Sequence, residues 1–328
     1  MENLIYLNKT TVNQLVKYRH GETKLGEALD LVKNIEDLKD CDQKYVIIGL
    51  PEDIGVQANH GQAGTSQAWE TFLKAFLNIQ KNRFNTAENV LILGHLDFGK
   101  YKDEAKKLDS NHNDYHVFLG DIVEKIDEDV VQLISQILQH NKIPIVIGGG
   151  HNNAYGVIKA CSQHEDKAIN VLNIDAHTDL RQIEHRHSGN GFSYALQKEY
   201  LDKYFIFGLH KNYTSEPIFE FMDKKTNISY CCLDQMLHLN QLEKLSKLKA
   251  GCNFLMNDFG LELDCDSIQD FNSSAISPSG FSVDDIRNMI KLLKNNPLKY
   301  IHICEAIPSP TMGKTLSYFV SDLVRKDL

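Results

Sequence analysis

Residues 171–179 read Val-Leu-Asn-Ile-Asp-Ala-His-Thr-Asp, an apolar run that ends in three strong metal ligands spaced two apart, Asp175, His177 and Asp179. If the run is a β-strand, its side chains alternate between faces, so the three ligands project to one side near its end. Two carboxylates and an imidazole share an unneutralised pocket poorly, because like charges held close raise each other's pKa. A divalent cation removes that conflict. The fold then turns on whether other strands bring further ligands to the same place.

Working outward, the pattern repeats. Residues 143–147 form an apolar run followed by Gly148, Gly149, Gly150 and His151, and residues 253–263 run into Asp264 and Asp266, again two apart. Further apolar runs at 44–50, 89–95, 204–209, 227–231 and 299–303 read as strands. Residues 65–80, 121–140, 154–161, 234–249, 283–293 and 313–325 read as helices; in 121–140, Ile122, Ile126, Val130, Leu133 and Ile137 fall at helical steps. Apolar strands alternating with amphipathic helices predict an α/β fold with a parallel sheet covered on both faces, whose ligands gather at the C-terminal strand ends. Residues 1–43 read as a mainly helical extension packed on the core, with Leu25, Ala28, Leu29 and Val32 on one face of a helix over 22–33. Residues 44–328 read as one domain.

Composition narrows the function. A formal net charge of -9 argues against nucleic acid as a partner, since phosphate-backbone binding needs a basic stripe. No apolar run approaches the roughly 18–20 residues of a membrane span, which argues against a membrane partner. The first nine residues lack the features of a signal peptide. The 7 cysteines are scattered without Cys-x-x-Cys spacing and read as reduced thiols of a cytoplasmic protein.

Three strand ends together offer four carboxylates and two imidazoles: His151, Asp175, His177, Asp179, Asp264 and Asp266. A lone Asp-x-His-x-Asp is ordinary surface polarity; three matched strand ends are not. Six ligands exceed what one catalytic zinc uses, and an oxygen-rich set suits a harder ion such as Mn2+. Two ions sharing carboxylates account for the surplus and activate water at neutral pH. The triple glycine is neither a P-loop, since no Lys-Ser or Lys-Thr follows, nor a dinucleotide fingerprint. His187 reads as a solvated loop histidine.

These residues resemble a known family. Gly-Gly-Gly-His at 148–151, Asn-Ile-Asp-Ala-His-Thr-Asp at 173–179 and Leu-Asp-Cys-Asp at 263–266 are similar, in order and spacing, to the three metal-ligand motifs of the ureohydrolase (arginase/agmatinase/formimidoylglutamase) superfamily. The loop at 49–64 resembles its early glycine-rich motif, and Glu305 its late strand-end glutamate. The resemblance runs from about residue 44 to the C-terminus. It implies a three-layer α/β/α domain with a central, mostly parallel sheet, a cluster of two Mn2+ ions held by the six ligands, hydrolysis of a C–N bond in a guanidino or formimidoyl group, and a homo-oligomer.

Smaller features point to a branch. Leu180 and Arg181 after Asp179, and the loop His187-Ser188-Gly189-Asn190-Gly191-Phe192, look like formimidoylglutamases; arginases place Asn at the Arg181 position and a histidine after Asn190. The implied reaction is hydrolysis of N-formimidoyl-L-glutamate to L-glutamate and formamide, a step of histidine degradation. Asp179 and Glu305 are the implied catalytic residues, and Arg181, Ser188 and Asn190 the substrate contacts. The sequence departs from the pattern at Gln62, where the early motif has Arg, at residues 267–270, which lack Asp-Pro, and at Asn190. The alternatives are a guanidino-acid, agmatine or arginine hydrolase releasing urea, and a homologue that binds metal or ligand without turnover.

Overall fold

The computed structural model describes residues 3–325. Its strands are Leu4–Tyr6 (β1), Tyr45–Gly49 (β2), Val90–Leu96 (β3), Ile143–Ile147 (β4), Ile169–Ile174 (β5), Leu201–Leu209 (β6), Ile228–Cys232 (β7), Phe259–Asp264 (β8) and Leu298–Cys304 (β9). They form one sheet in the order β1-β3-β2-β4-β9-β8-β5-β6-β7. All pairings are parallel except that of β1 with β3. All residues of β2 are buried, as a strand covered on both faces requires. Ile47, Ile145 and Leu172 belong to one core layer, closed by helices Ala68–Phe76, Val283–Leu293 and Met312–Val324. Val46, Val146 and Val171 belong to the other, closed by Tyr115–Gln139 and Asn153–Glu165. This is the expected three-layer arrangement.

The strand order positions the site. β4 and β5 follow each other in the chain, yet β9 and β8 lie between them. Because these four central strands are mutually parallel, their C-terminal ends open on one edge. Such a switch in strand order leaves a crevice for ligands.

The N-terminal segment departs from expectation. It supplies the edge strand β1, paired Leu4 to Leu96, and residues 22–33 hold only the short 3-10 turn Leu25–Glu27. The reason lies in the backbone donors. Leu25 N–H donates to Ile79 O at 2.7 Å and Gly26 N–H to Leu77 O at 3.0 Å, so they are unavailable to a helix. Gly26 packs so closely that a Cβ there would lie 2.8 Å from Val16 Cγ2. Elsewhere bounds shift: the helix expected over 234–249 runs Gln241–Phe254, started by Asn240, whose side chain caps Leu242 and Glu243.

Candidate metal centre

The ligand-bearing segments leave four adjacent strands. His151 follows β4, Asp175 to Asp179 follow β5, Asp264 ends β8 with Asp266 just beyond, and Glu305 follows β9. The three ligands of the opening stretch do not lie within a strand, because β5 ends at Ile174. A turn gathers them instead of strand alternation. Asp175 Oδ1 accepts from His177 N–H at 2.7 Å, and Asp179 takes a left-handed φ of 49°. Asp264 does the same on β8, its Oδ1 accepting from Asp266 N–H at 2.7 Å. Such side-chain-to-backbone bonds divert the chain from a regular strand.

The six expected ligands meet at this edge. Around His151 Nδ1 stand Asp179 Oδ2 at 2.8 Å, Asp264 Oδ2 at 3.0 Å and Asp175 Oδ2 at 3.4 Å. His177 Nδ1 lies 3.5 Å from Asp175 Oδ1 and 3.7 Å from Asp266 Oδ2. Ligand atoms of His151, Asp175, Asp179 and Asp264 all lie within 4.8 Å of one another. Burial, then the neighbouring Asp266 and Asp175, push the Asp264 carboxyl well above its usual range, and burial followed by Asp175 raises Asp179. Burial also acts to raise Asp175, but hydrogen bonds from His151 and His177 outweigh it and hold it low.

The donor set fits a cation. His151 Nδ1 and Nε2 are buried without a satisfactory hydrogen-bond partner, although three carboxylate oxygens crowd Nδ1. One ring N–H serves one acceptor well; a divalent ion serves them all and relieves their repulsion. Carboxylate and imidazole donors together suit a hard or borderline ion.

Further buried groups shape the site. Glu52 is the hub of the loop after β4: its Oε1 accepts from Gly150 N at 3.1 Å, Asn152 Nδ2 at 3.2 Å and Asn153 Nδ2 at 2.6 Å, and its Oε2 from Ile54 N at 2.8 Å. Behind His151, Glu262 Oε2 stands 3.4 Å from Nε2 and 2.7 Å from His302 Nδ1, while Tyr300 donates to Oε1 at 2.7 Å. Glu305, at φ 61°, accepts from His151 N–H at 2.5 Å. Burial and then Asp266 push its carboxyl up to about 8.

A cleft of about 490 Å³ opens onto the cluster, lined among others by His177, Asp179, Asp264, Asp266, Glu305, Arg181 and Ser188. Asn190 is elsewhere: its Oδ1 accepts from Arg186 Nη1 at 2.5 Å and its Nδ2 donates to His185 O at 2.9 Å. Arg186 is 1% exposed, paired side-on through Nε and Nη2 with Asp127 at 2.9 and 3.2 Å and flanked by the Tyr155 and Tyr194 rings. Nothing in the local sequence marks it. His187 is not solvated. The loop folds over it, Nδ1 accepts from Gly189 N–H at 3.1 Å, and burial pushes its pKa down to about 4.

The family model described as the arginase family matches residues 43–326. A curated formimidoylglutamase from Macrococcus caseolyticus is 27% identical over 215 residues, covering 65% of this chain and 57% of the relative. The chain thus spans under two thirds of that relative's length. Among solved structures, formiminoglutamase from Trypanosoma cruzi with Mn2+ superposes with a TM-score of 0.74 at 17% identity, covering 92% of this chain and 97% of that one. Formimidoylglutamase from Bacillus subtilis gives 0.73 at 17% identity, covering 94% and 93%.

Proposed function

The chain belongs to the arginase family, and from that premise we propose that it is a manganese-dependent hydrolase of the C–N bond in N-formimidoyl-L-glutamate, yielding L-glutamate and formamide. The observation that carries this reading is a single cleft. It joins the carboxylate cluster and Glu305 to Arg181, whose guanidinium donates to a neutral amide, Asn59 Oδ1, and makes no ion pair with a carboxylate among the described residues. A cation-binding end and an anion-binding end in one cleft call for a substrate with an amidine at one end and a carboxylate at the other. The formimidoylglutamase relatives support the choice of amidine.

His151, Asp175, His177, Asp179, Asp264 and Asp266 would hold two Mn2+ ions. When bound, such ions supply Lewis-acid activation of water at neutral pH. The rest falls to the chain itself. Asp179 orients the attacking water and moves its proton. Glu305 holds the cationic nitrogen end, its backbone fixed by a bond from its own N–H to Gly149 O at 3.0 Å. Arg181 and Ser188 hold carboxylate oxygens, Arg181 by charge-assisted hydrogen bonds. Asn190 acts from behind, holding the loop through Arg186 and His185.

The test is purified protein, loaded with Mn2+ and offered N-formimidoyl-L-glutamate beside a panel of guanidino acids and agmatine. Glutamate and formamide release above a metal-free control supports the proposal. Urea release from a guanidino acid instead moves the assignment to that substrate, and absence of both metal binding and turnover overturns it.

A further inference from the structure

The early loop, residues 49–64, has so far served only to hold the ligand segments. At its end, Asn59 reaches across to the substrate side of the cleft. Its Oδ1 accepts from Arg181 Nη1 at 2.6 Å, and its Nδ2 donates to Ser188 Oγ at 3.0 Å. The amide orientation follows from chemistry, since a guanidinium only donates and must face the oxygen. Asn59, Arg181, Ser188 and Gly189 all line the metal-bearing cleft. They fit closely: a Cβ on Gly189 would stand 2.9 Å from both Arg181 Cδ and Asn59 Nδ2. Arg181 N–H also donates to Gly189 O at 3.0 Å, which locks the two segments together.

The base under Asn59 is rigid. It caps the short helix Ile54–Ala58, and its N–H donates to Val56 O at 3.1 Å. The next two N–H groups turn back as well, His60 to Gln57 O at 3.0 Å and Gly61 to Val56 O at 2.9 Å. Glu52 ties the start of the same helix to the loop that carries His151. The amide is therefore held in place before any ligand arrives.

What this arrangement leaves unspent is informative. Arg181 carries five N–H donors, of which Nη1 supplies one to Asn59. Because Ser188 Oγ accepts from Asn59, its own hydroxyl hydrogen is free to donate. A neutral oxygen orients the guanidinium without cancelling its charge, whereas a carboxylate at the same place would orient it and discharge it. Free donors beside an uncancelled cation form a receptor for an anion.

We propose that Asn59 is the specificity-determining positioning residue for the carboxylate end of the substrate, joining Arg181 and Ser188 into one anion receptor whose charge stays available. This rests on the reading of Arg181 as a carboxylate contact. It adds that selection for an anionic substrate resides in the early loop, outside the metal motifs in sequence but lining the same cleft.

The test uses the Mn2+-loaded protein in four forms: parent, Asn59→Asp, Asn59→Ala and Arg181→Ala. For each, L-glutamate binding is measured by calorimetry, steady-state kinetics with N-formimidoyl-L-glutamate, and metal content. Asn59→Asp keeps a partner for Arg181 but neutralises it. It should weaken L-glutamate binding and raise KM together by about ten- to a hundredfold, the scale of a lost charge-assisted hydrogen bond, with kcat within about threefold and metal content unchanged. Asn59→Ala removes both hydrogen bonds but adds no charge, and should cost about three- to tenfold. A purely structural role predicts the reverse order, because alanine breaks more contacts than aspartate. Aspartate binding as well as the parent, or alanine being the worse of the two, overturns the proposal. If the Asp variant does not fold, an Ala variant with unchanged glutamate affinity overturns it alone. If Arg181→Ala leaves L-glutamate affinity unchanged, the carboxylate reading of the cleft falls and takes Asn59 with it; if only the Asn59 variants are silent, Asn59 alone falls.

Discussion

Replacing Arg186 with methionine removes the cation at the centre of the 185–190 loop. The guanidinium pairs with Asp127 at 2.9 and 3.2 Å and donates to Asn190 Oδ1 at 2.5 Å, Asn152 O at 3.0 Å and His187 O at 3.2 Å. Both partners of the ion pair are buried. Breaking a buried pair on one side leaves a charge without compensation and costs roughly 3–5 kcal/mol. The loss has a pH signature. Burial already pushes Asp127 up to about 6 despite Arg186, and without Arg186 it rises further. A carboxyl whose folded pKa lies above its unfolded value of roughly 3.9 favours the folded state least when ionised, so the penalty grows as pH rises and shrinks as Asp127 takes up a proton. Urea denaturation of parent and variant at about pH 5.5 and pH 8 measures both terms. The expected deficit is about 3–5 kcal/mol at the higher pH and clearly less at the lower. The double variant with Asp127→Leu should recover much of it, since apolar residues often replace a buried pair without loss. A deficit below about 1 kcal/mol, or one equal at both pH values, would refute the reasoning.

Three other outcomes follow from the same contacts. Glu52→Ala strands the donors of Gly150, Asn152, Asn153 and Ile54; thermal melts should show a loss of about 2–4 kcal/mol, and Mn2+ affinity of the purified protein should fall about tenfold or more, as when support behind a ligand is lost. Asp266→Ala removes a carboxylate beside His177, and elemental analysis after gentle purification should find about one Mn2+ per chain or less where the parent retains about two. His187, pushed down to about 4 by burial, is favoured neutral in the folded state. Its contribution is therefore present above the unfolded pKa of roughly 6.5 and is lost as pH falls toward 4, so His187→Asn should flatten the acid limb of stability against pH, read as the difference from the parent in urea titrations.

The parts of this protein legible in the sequence share one property: their signal is local. Each motif of the cluster pairs an apolar strand with ligand-type side chains within a few residues of its end, so the sheet and the cluster could be inferred together. What was not legible depends on partners far apart. Asp127 occupies a core position of a long helix and meets Arg186 only because the loop folds onto that helix, 59 residues away in sequence. Glu262 sits in a run otherwise read as apolar, and its partner His302 lies on the neighbouring strand. The edge strand β1 is three residues long, too short for a period to appear. Residues 22–33 carry helical spacing, but hydrogen bonds to residues 77 and 79 override it.

The backbone explains why those local motifs converge. A strand that simply continued past Ile174 would place its ligands along a line some 3.3 Å per residue, drawing Asp179 away from His151. Instead Asp179 and Glu305 take φ values of 49° and 61°, a region that costs a non-glycine residue roughly 1–2 kcal/mol. Glycine would occupy either place more easily, so the side chain is what the position retains. The bonds around Glu305 hold that conformation: its N–H donates to Gly149 O at 3.0 Å while its carboxylate accepts from His151 N–H at 2.5 Å. Each strained residue turns the chain in the segment that follows a parallel strand, and each turn aims a carboxylate into the same cleft. The strain at Asp179 also sets the direction of the next two residues, so the turn that completes the carboxylate cluster is the one that carries Arg181 into the same cleft. The carboxylates of the cluster and the Arg181 guanidinium are thus fixed relative to one another by a single backbone conformation.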